Sequence, residues 1–239
     1  GAGGQAQPRI LVRHGDGLAV AAGTTLVLCD TSGTIRHRQE LPAPVAGLAP
    51  AGEALLVRGD SRAWWWHAGR LTPLTPGGAD RAVATHARYS VRVGHDARLH
   101  CYRTGAPRPL RSAEVPTGGV AVTSAAIDAA GTTLMLGYAD GRIALLRLPA
   151  LTPVDIHDQH LHPVTTGRFH AGGRFLTTLA TGRDRDRRHA RNHLVTWDLA
   201  WPRAEAMVHL PHVRRLAWDA DGTRVAYADR RRCRLLAVP

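Results

Sequence analysis

The chain has 239 residues, 44% of them hydrophobic, enough to bury the core of one large all-β domain or of two small ones. Its formal net charge is +12 and all 31 residues counted as Lys+Arg are arginine, so its cations are planar, permanently charged forks suited to carboxylate or phosphate partners. No apolar run is long enough to span a bilayer and no charged-then-apolar leader opens the chain, which leaves a cytoplasmic protein as the expectation.

A genome rich in G and C is the plainer source of an arginine-only cation set, so charge speaks to association and not to fold. Cys29, Cys101 and Cys233 lie far apart with no C-x-x-C spacing, as buried thiols of a reducing compartment do. Helical periodicity is almost absent, while short apolar runs bounded by Gly, Pro, Asp and Ser recur throughout. The expected class is therefore all-β.

In chain order, residues 1–8 (GAGGQAQP) read as a linker or a closing strand, and the Gly-rich start suits one piece of a longer protein. Six phrases follow: ILVRHGDGLAVAAGTTLVLCD (10–30), VAGLAPAGEALLVRGDSRAWWWHA (45–68), AVATHARYSVRVGHDARLHCYR (82–103), VTSAAIDAAGTTLMLGYADGRIALLRL (122–148), HLHPVTTGRFHAGGRFLTTLATG with HLVTWDLA (160–182 and 193–200), and VRRLAWDADGTRVAYADRRRCRLLAV (213–238). Each reads as strand, turn, strand, turn, strand, and the fifth predicts strands over 164–170, 174–180 and up to Asp198. Aligning the third strands puts Cys29, Trp66, Tyr102, Leu146, Trp197 and Leu236 at one equivalent position. Segments such as TIRHRQELP, RLTPLTP and AEAMVHLP between the phrases are long enough for a fourth, outer strand.

Six four-stranded units of this spacing resemble the WD-repeat β-propeller family, in which each repeat is one blade. The resemblance covers nearly the whole chain and is clearest at residues 159–199. It implies blades at about 9–42, 43–76, 77–116, 117–159, 160–209 and 210–239, or seven blades if one blade or a closing strand lies outside this chain. In the fifth unit it implies that His160 (with Gln159 replacing the family's glycine), Thr177 or Thr178, and the Trp197–Asp198 pair form the blade's hydrogen-bonded network, with Asp184 or Asp186 as the aspartate of the second turn. In four other units the tryptophan position holds Cys29, Tyr102, Leu146 or Leu236, which points to apolar packing in place of that network.

Four constellations bear on function. In a propeller, the link between second and third strands and the link into the next blade emerge on one face, so the arginine loop 183–193 and the segment 155–163 would rise together. Arg183, Arg185, Arg187, Arg188 and Arg191, with Arg230, Arg231 and Arg232 in the next unit's second turn, would make a basic docking rim for an acidic partner or for phosphates. No aromatic residue lies within the loop to stack on a base. Asp155, His157, His160 and His162 have metal-ligand chemistry, but His160 is claimed by the blade network and the spacing lacks a fixed geometry, so no metal is expected. Trp64, Trp65 and Trp66 would alternate across a strand buried on both faces, which favours core packing over an aromatic cage.

Catalytic motifs are missing: there is no G-x-S-x-G elbow, no H-E-x-x-H and no glycine-rich phosphate loop. The sequence thus points to a non-enzymatic interaction scaffold or sensor module of a larger signalling or assembly protein, without cofactor, small-molecule substrate or membrane partner. Its partner would be a protein with an acidic surface; the alternative is a nucleic-acid backbone.

Overall fold

A computed structural model describes residues 10–158, 160–183, 190–200, 203–211, 215–219, 224–228 and 233–237. Every regular element among them is a β-strand, apart from one turn of 3₁₀ helix at Ala171–Gly173. The strands form six separate antiparallel sheets, each made by consecutive segments of chain.

The first sheet comprises β1 (Ile10–His14), β2 (Gly17–Ala22), β3 (Thr25–Asp30) and β4 (Ile35–Glu40), and the second β5 (Gly47–Ala51), β6 (Ala54–Arg58), β7 (Ala63–His67) and β8 (Arg70–Pro73). The third holds β9 (Asp80–Thr85), β10 (Tyr89–Gly94), β11 (Arg98–Arg103) and β12 (Arg111–Glu114). The fourth holds β13 (Val122–Ile127), β14 (Thr133–Tyr138), β15 (Ile143–Arg147) and β16 (Thr152–His157). The fifth holds β17 (Val164–His170), β18 (Phe175–Arg183), β19 (Ala190–Asp198) and β20 (Arg203–Pro211), and the sixth β21 (Arg215–Trp218), β22 (Arg224–Ala228) and β23 (Cys233–Ala237).

Burial explains the order within a sheet. The second and third strands carry runs buried on both faces, such as ALLV in β6, AWWW in β7, LMLGY in β14 and IALL in β15. The fourth strands are polar and largely exposed, as in β4 and β12, because they face solvent at the outer edge.

The equivalence expected from the sequence is present in the backbone register. Cys29, Trp66, Tyr102, Leu146, Trp197 and Leu236 each pair with the second residue of the preceding strand, respectively Leu18, Leu55, Ser90, Leu134, Leu176 and Val225. The ladder to the outer strand shifts register beside this position in the first, fourth and fifth sheets. The fourth and fifth share a second shift at the start of their first strands. Bulges recurring at one place in different sheets are the mark of a structural repeat.

The chain divides into two compact units, residues 1–80 with 84–113 and residues 81–83 with 114–239. Within the first, Ala19, Leu26, Leu48, Leu55, Trp64 and Trp66 form one apolar cluster joining the first two sheets. Trp65, 1% exposed, turns the opposite way, and its Nε1 donates to the Ala106 carbonyl beside the third sheet at 3.0 Å. The three tryptophans thus fill sheet-to-sheet space, as alternation along a doubly buried strand requires. Within the second unit, Met135, Ile143, Val164, Phe169, Val195 and Trp197 join the fourth and fifth sheets, while Leu179, Leu194, Val225 and Tyr227 join the fifth and sixth.

Candidate interaction site

The fifth sheet differs from the others in length. Its last three strands have nine residues each, where most strands elsewhere have four to six. Pairing continues to Arg183↔Ala190 between β18 and β19, and to Arg191↔Pro211 between β19 and β20. The basic segment expected as an insertion loop over 183–193 is therefore partly ladder: Arg183 ends β18, residues 190–193 belong to β19, and 184–189 connect the two. Pairing along β18, β19 and β20 satisfies their backbone groups out to these residues. Arg183 and Arg191 stand on this ribbon by backbone position. Arg185, Arg187 and Arg188, with Asp184 and Asp186, lie outside the described residues, as do Arg230, Arg231 and Arg232.

The base of the ribbon is fixed by two separate polar networks on adjacent threonines. Thr178 Oγ1 accepts from Trp197 Nε1 at 2.9 Å and lies 2.7 Å from His160 Nε2. The Thr178 hydroxyl also reaches the Val195 carbonyl at 3.5 Å, and which partner donates in the His160 contact follows the histidine tautomer. Burial, reinforced by nearby His193, lowers the His160 pKa from 6.5 to about 4, so the ring is neutral near pH 7. The His157 ring lies tilted against Trp197 at 4.8 Å between centroids, and His162 meets the His193 ring at 5.8 Å.

Thr177 points the other way and belongs to a different set. Its hydroxyl lies 3.0 Å from both His170 Nε2 and Thr196 Oγ1, all three buried. Beside it Asp198, with its side chain 4% exposed, takes Arg174 Nη2 at 2.7 Å and the Ala200 amide at 3.0 Å. Arg174 also covers the Phe175 ring at 4.9 Å. The structure thus brings His160, Thr178 and Trp197 together, and puts Thr177 and Asp198 in other contacts. His170, Thr196 and Arg174 escape sequence reasoning; the strand-period alternation of Thr177 and Thr178 is the signal that could have separated the two threonines.

The histidine–carboxylate segment does not converge on a single point. His157 Nε2 lies 3.4 Å from Asp155 Oδ2, His160 is turned to Thr178 and His162 to His193. Among the described residues no group of three or more His, Cys, Asp or Glu is placed to hold a metal ion.

The tryptophan position is more polar than expected elsewhere, which corrects the apolar reading of the third unit. Tyr102 donates its hydroxyl to the Thr75 carbonyl at 3.2 Å and also receives Arg92 Nη1 at 3.4 Å. Arg92 pairs with Asp80 at 2.9 Å, the two side chains 3% and 5% exposed. Trp66 Nε1 donates to Gln39 Oε1 of β4 at 3.1 Å. A buried charge needs a full set of partners, and Asp80 of β9, Tyr102 of β11 and the Pro76 and Gly78 carbonyls supply them to Arg92 of β10.

Among the described residues, no helix is long and apolar enough to cross a membrane. No protein-family model and no curated protein sequence matches the chain.

Proposed function

We propose that the six sheets are the blades of a WD-repeat-like β-propeller and that the chain is a non-enzymatic, cytoplasmic interaction module. Its basic face, built on the fifth and sixth sheets around Arg183–Arg191 and Arg230–Arg232, docks an acidic protein surface. The observation that carries this reading is the nine-residue ribbon of β18, β19 and β20, which extends the backbone ladder of one sheet and bears the densest arginine run in the chain. A rigid scaffold with one lengthened, strongly charged hairpin supports recognition better than catalysis, because binding residues need positioning and not mutual proximity. Arginine suits carboxylate partners through its two-pronged fork.

The test is capture of a protein partner by the intact chain and by a variant with Arg183, Arg185, Arg187, Arg188 and Arg191 changed to Ser. Loss of the partner in the variant, with unfolding unchanged, supports the reading; equal capture by both removes it. Titration of arbitrary duplex DNA and RNA separates the phosphate alternative. Five backbone contacts give a salt slope of about −4.5, roughly a 500-fold loss between about 50 and 200 mM salt. Nucleic-acid binding with that slope, abolished by the same substitutions, would replace the protein partner.

A further inference from the structure

A cavity of about 240 Å³ opens at one end of the third sheet, inside the first compact unit. The segment 76–80 forms one wall, Arg92 the floor, the β10–β11 turn Gly94–Asp96 the mouth, and His100 of β11 the remaining side. The charges around it do not cancel evenly. Arg92 is spent: Nε donates to Asp80 at 2.9 and 3.0 Å, Nη2 to Asp80 Oδ1 at 2.9 Å and to the Gly78 carbonyl at 3.1 Å, and Nη1 to the Pro76 carbonyl and the Tyr102 hydroxyl. All five N–H donors of the guanidinium are engaged, so the floor is neutral and offers nothing to an incoming anion.

Asp96 remains. One of its oxygens accepts the Arg98 amide at 3.2 Å, an Asx turn repeated in the fourth sheet by Asp140 and the Arg142 amide at 3.1 Å. In the fourth sheet the arginine side chain also closes on the aspartate, at 2.7 Å, and cancels its charge. Among the described residues Asp96 has no such ion pair. Gly94 is what lets the carboxylate fold back over the mouth, because a Cβ there would collide with Asp96 Oδ1. His100 adds no positive charge: its Nδ1 meets Ser112 Oγ at 2.8 Å, and burial, ahead of the opposing pull of Asp96, keeps its pKa below the ordinary value. The lining therefore presents one carboxylate outside any ion pair, Asp96, and two imidazole rings, with the Arg98 guanidinium close enough to act on His100, in a chain of charge +12.

We propose that this cavity receives a guanidinium group, presented as an arginine side chain of a partner segment. A planar, weakly hydrated cation can take the free carboxylate oxygen edge-on and lie against an imidazole face, where a compact ammonium would keep its water. The proposal is independent of the basic face, which would attract the opposite charge.

L-arginine amide is titrated into the full chain against L-citrulline amide, its uncharged analogue, and against glutamate, following the histidine ring signals by NMR. Arginine amide should shift the His95 and His100 signals saturably, citrulline amide should bind about tenfold more weakly or worse, and glutamate should not bind. Asp96→Asn should weaken arginine amide by about tenfold, the effect of losing one charge-assisted contact, whereas Asp140→Asn should not. Asp96 is exposed, so the variant is expected to fold; Gly94→Ala, which pushes the carboxylate aside, is the second probe. Equal binding of citrulline amide, unchanged affinity in Asp96→Asn, or glutamate binding in the same place would each overturn the proposal.

Discussion

Thr178 is the residue on which the fifth sheet's interior depends. Its hydroxyl accepts from Trp197 and hydrogen-bonds His160, so Thr178→Val keeps the shape and leaves two buried partners unsatisfied. The expected cost is about 2–4 kcal/mol in denaturant unfolding, and Thr178→Ser should recover most of it. His160 makes the same network pH-sensitive. Its folded pKa, about 4, lies below the ordinary 6.5, so protonation favours the unfolded chain. The stability it contributes is complete above pH 6.5 and is lost as pH falls toward 4, on the order of 3 kcal/mol in all. His160→Gln should flatten that part of the stability–pH curve. The thiols give an independent check: Cys233 is exposed, whereas Cys101 is buried with its pKa pushed up to about 11. Ellman's reagent should label Cys233 at once and Cys101 only on unfolding.

At the scale of elements, the hairpin between the second and third strands does different work in neighbouring sheets. In the third sheet it lines the cavity; in the fifth it joins two nine-residue strands. In the fourth, Gly141 has φ +94° and its missing Cβ makes room for the His160 carbonyl of the next segment. Gly141→Ala should therefore destabilise by about 2–4 kcal/mol, combining left-handed strain with a clash against backbone that cannot swing away. The third sheet's buried pair predicts an asymmetry. Asp80→Ala strands the Arg92 guanidinium in the interior and should cost about 3–5 kcal/mol, while the double change Asp80→Leu with Arg92→Met should cost much less. Thermal and denaturant unfolding of the single and double variants measures both.

At the scale of the whole molecule, the repeat was legible because alternation and turn residues are local properties of sequence. The register of Cys29, Trp66, Tyr102, Leu146, Trp197 and Leu236 follows from pattern alone, even where identity is poor, since the turns that bound the second and third strands fix how the two pair. The site was less legible. The arginines are plain in the sequence, but the place of Arg183 and Arg191 on an extended ladder depends on β20 lengthening in step with β18 and β19, and a fourth strand of mixed polarity gives no such signal. The cavity was not legible at all, because the link 76–80, Arg92, Asp96 and His100 have no shared motif.

By itself the sequence determined an all-β chain of repeated sheet units, the burial of Trp64 to Trp66, and an arginine-rich segment beside the Trp197–Asp198 strand. These follow from residue-by-residue choices between water and core. Only the tertiary structure decided that Thr178 and not Thr177 joins His160 to Trp197, that Arg92 is cancelled by Asp80, and that Asp96, among the described residues, stands outside any ion pair at the mouth of a cavity. Those outcomes depend on which polar groups meet across strands and links, and a buried or half-buried charge takes its meaning from its partners and not from its place in the chain.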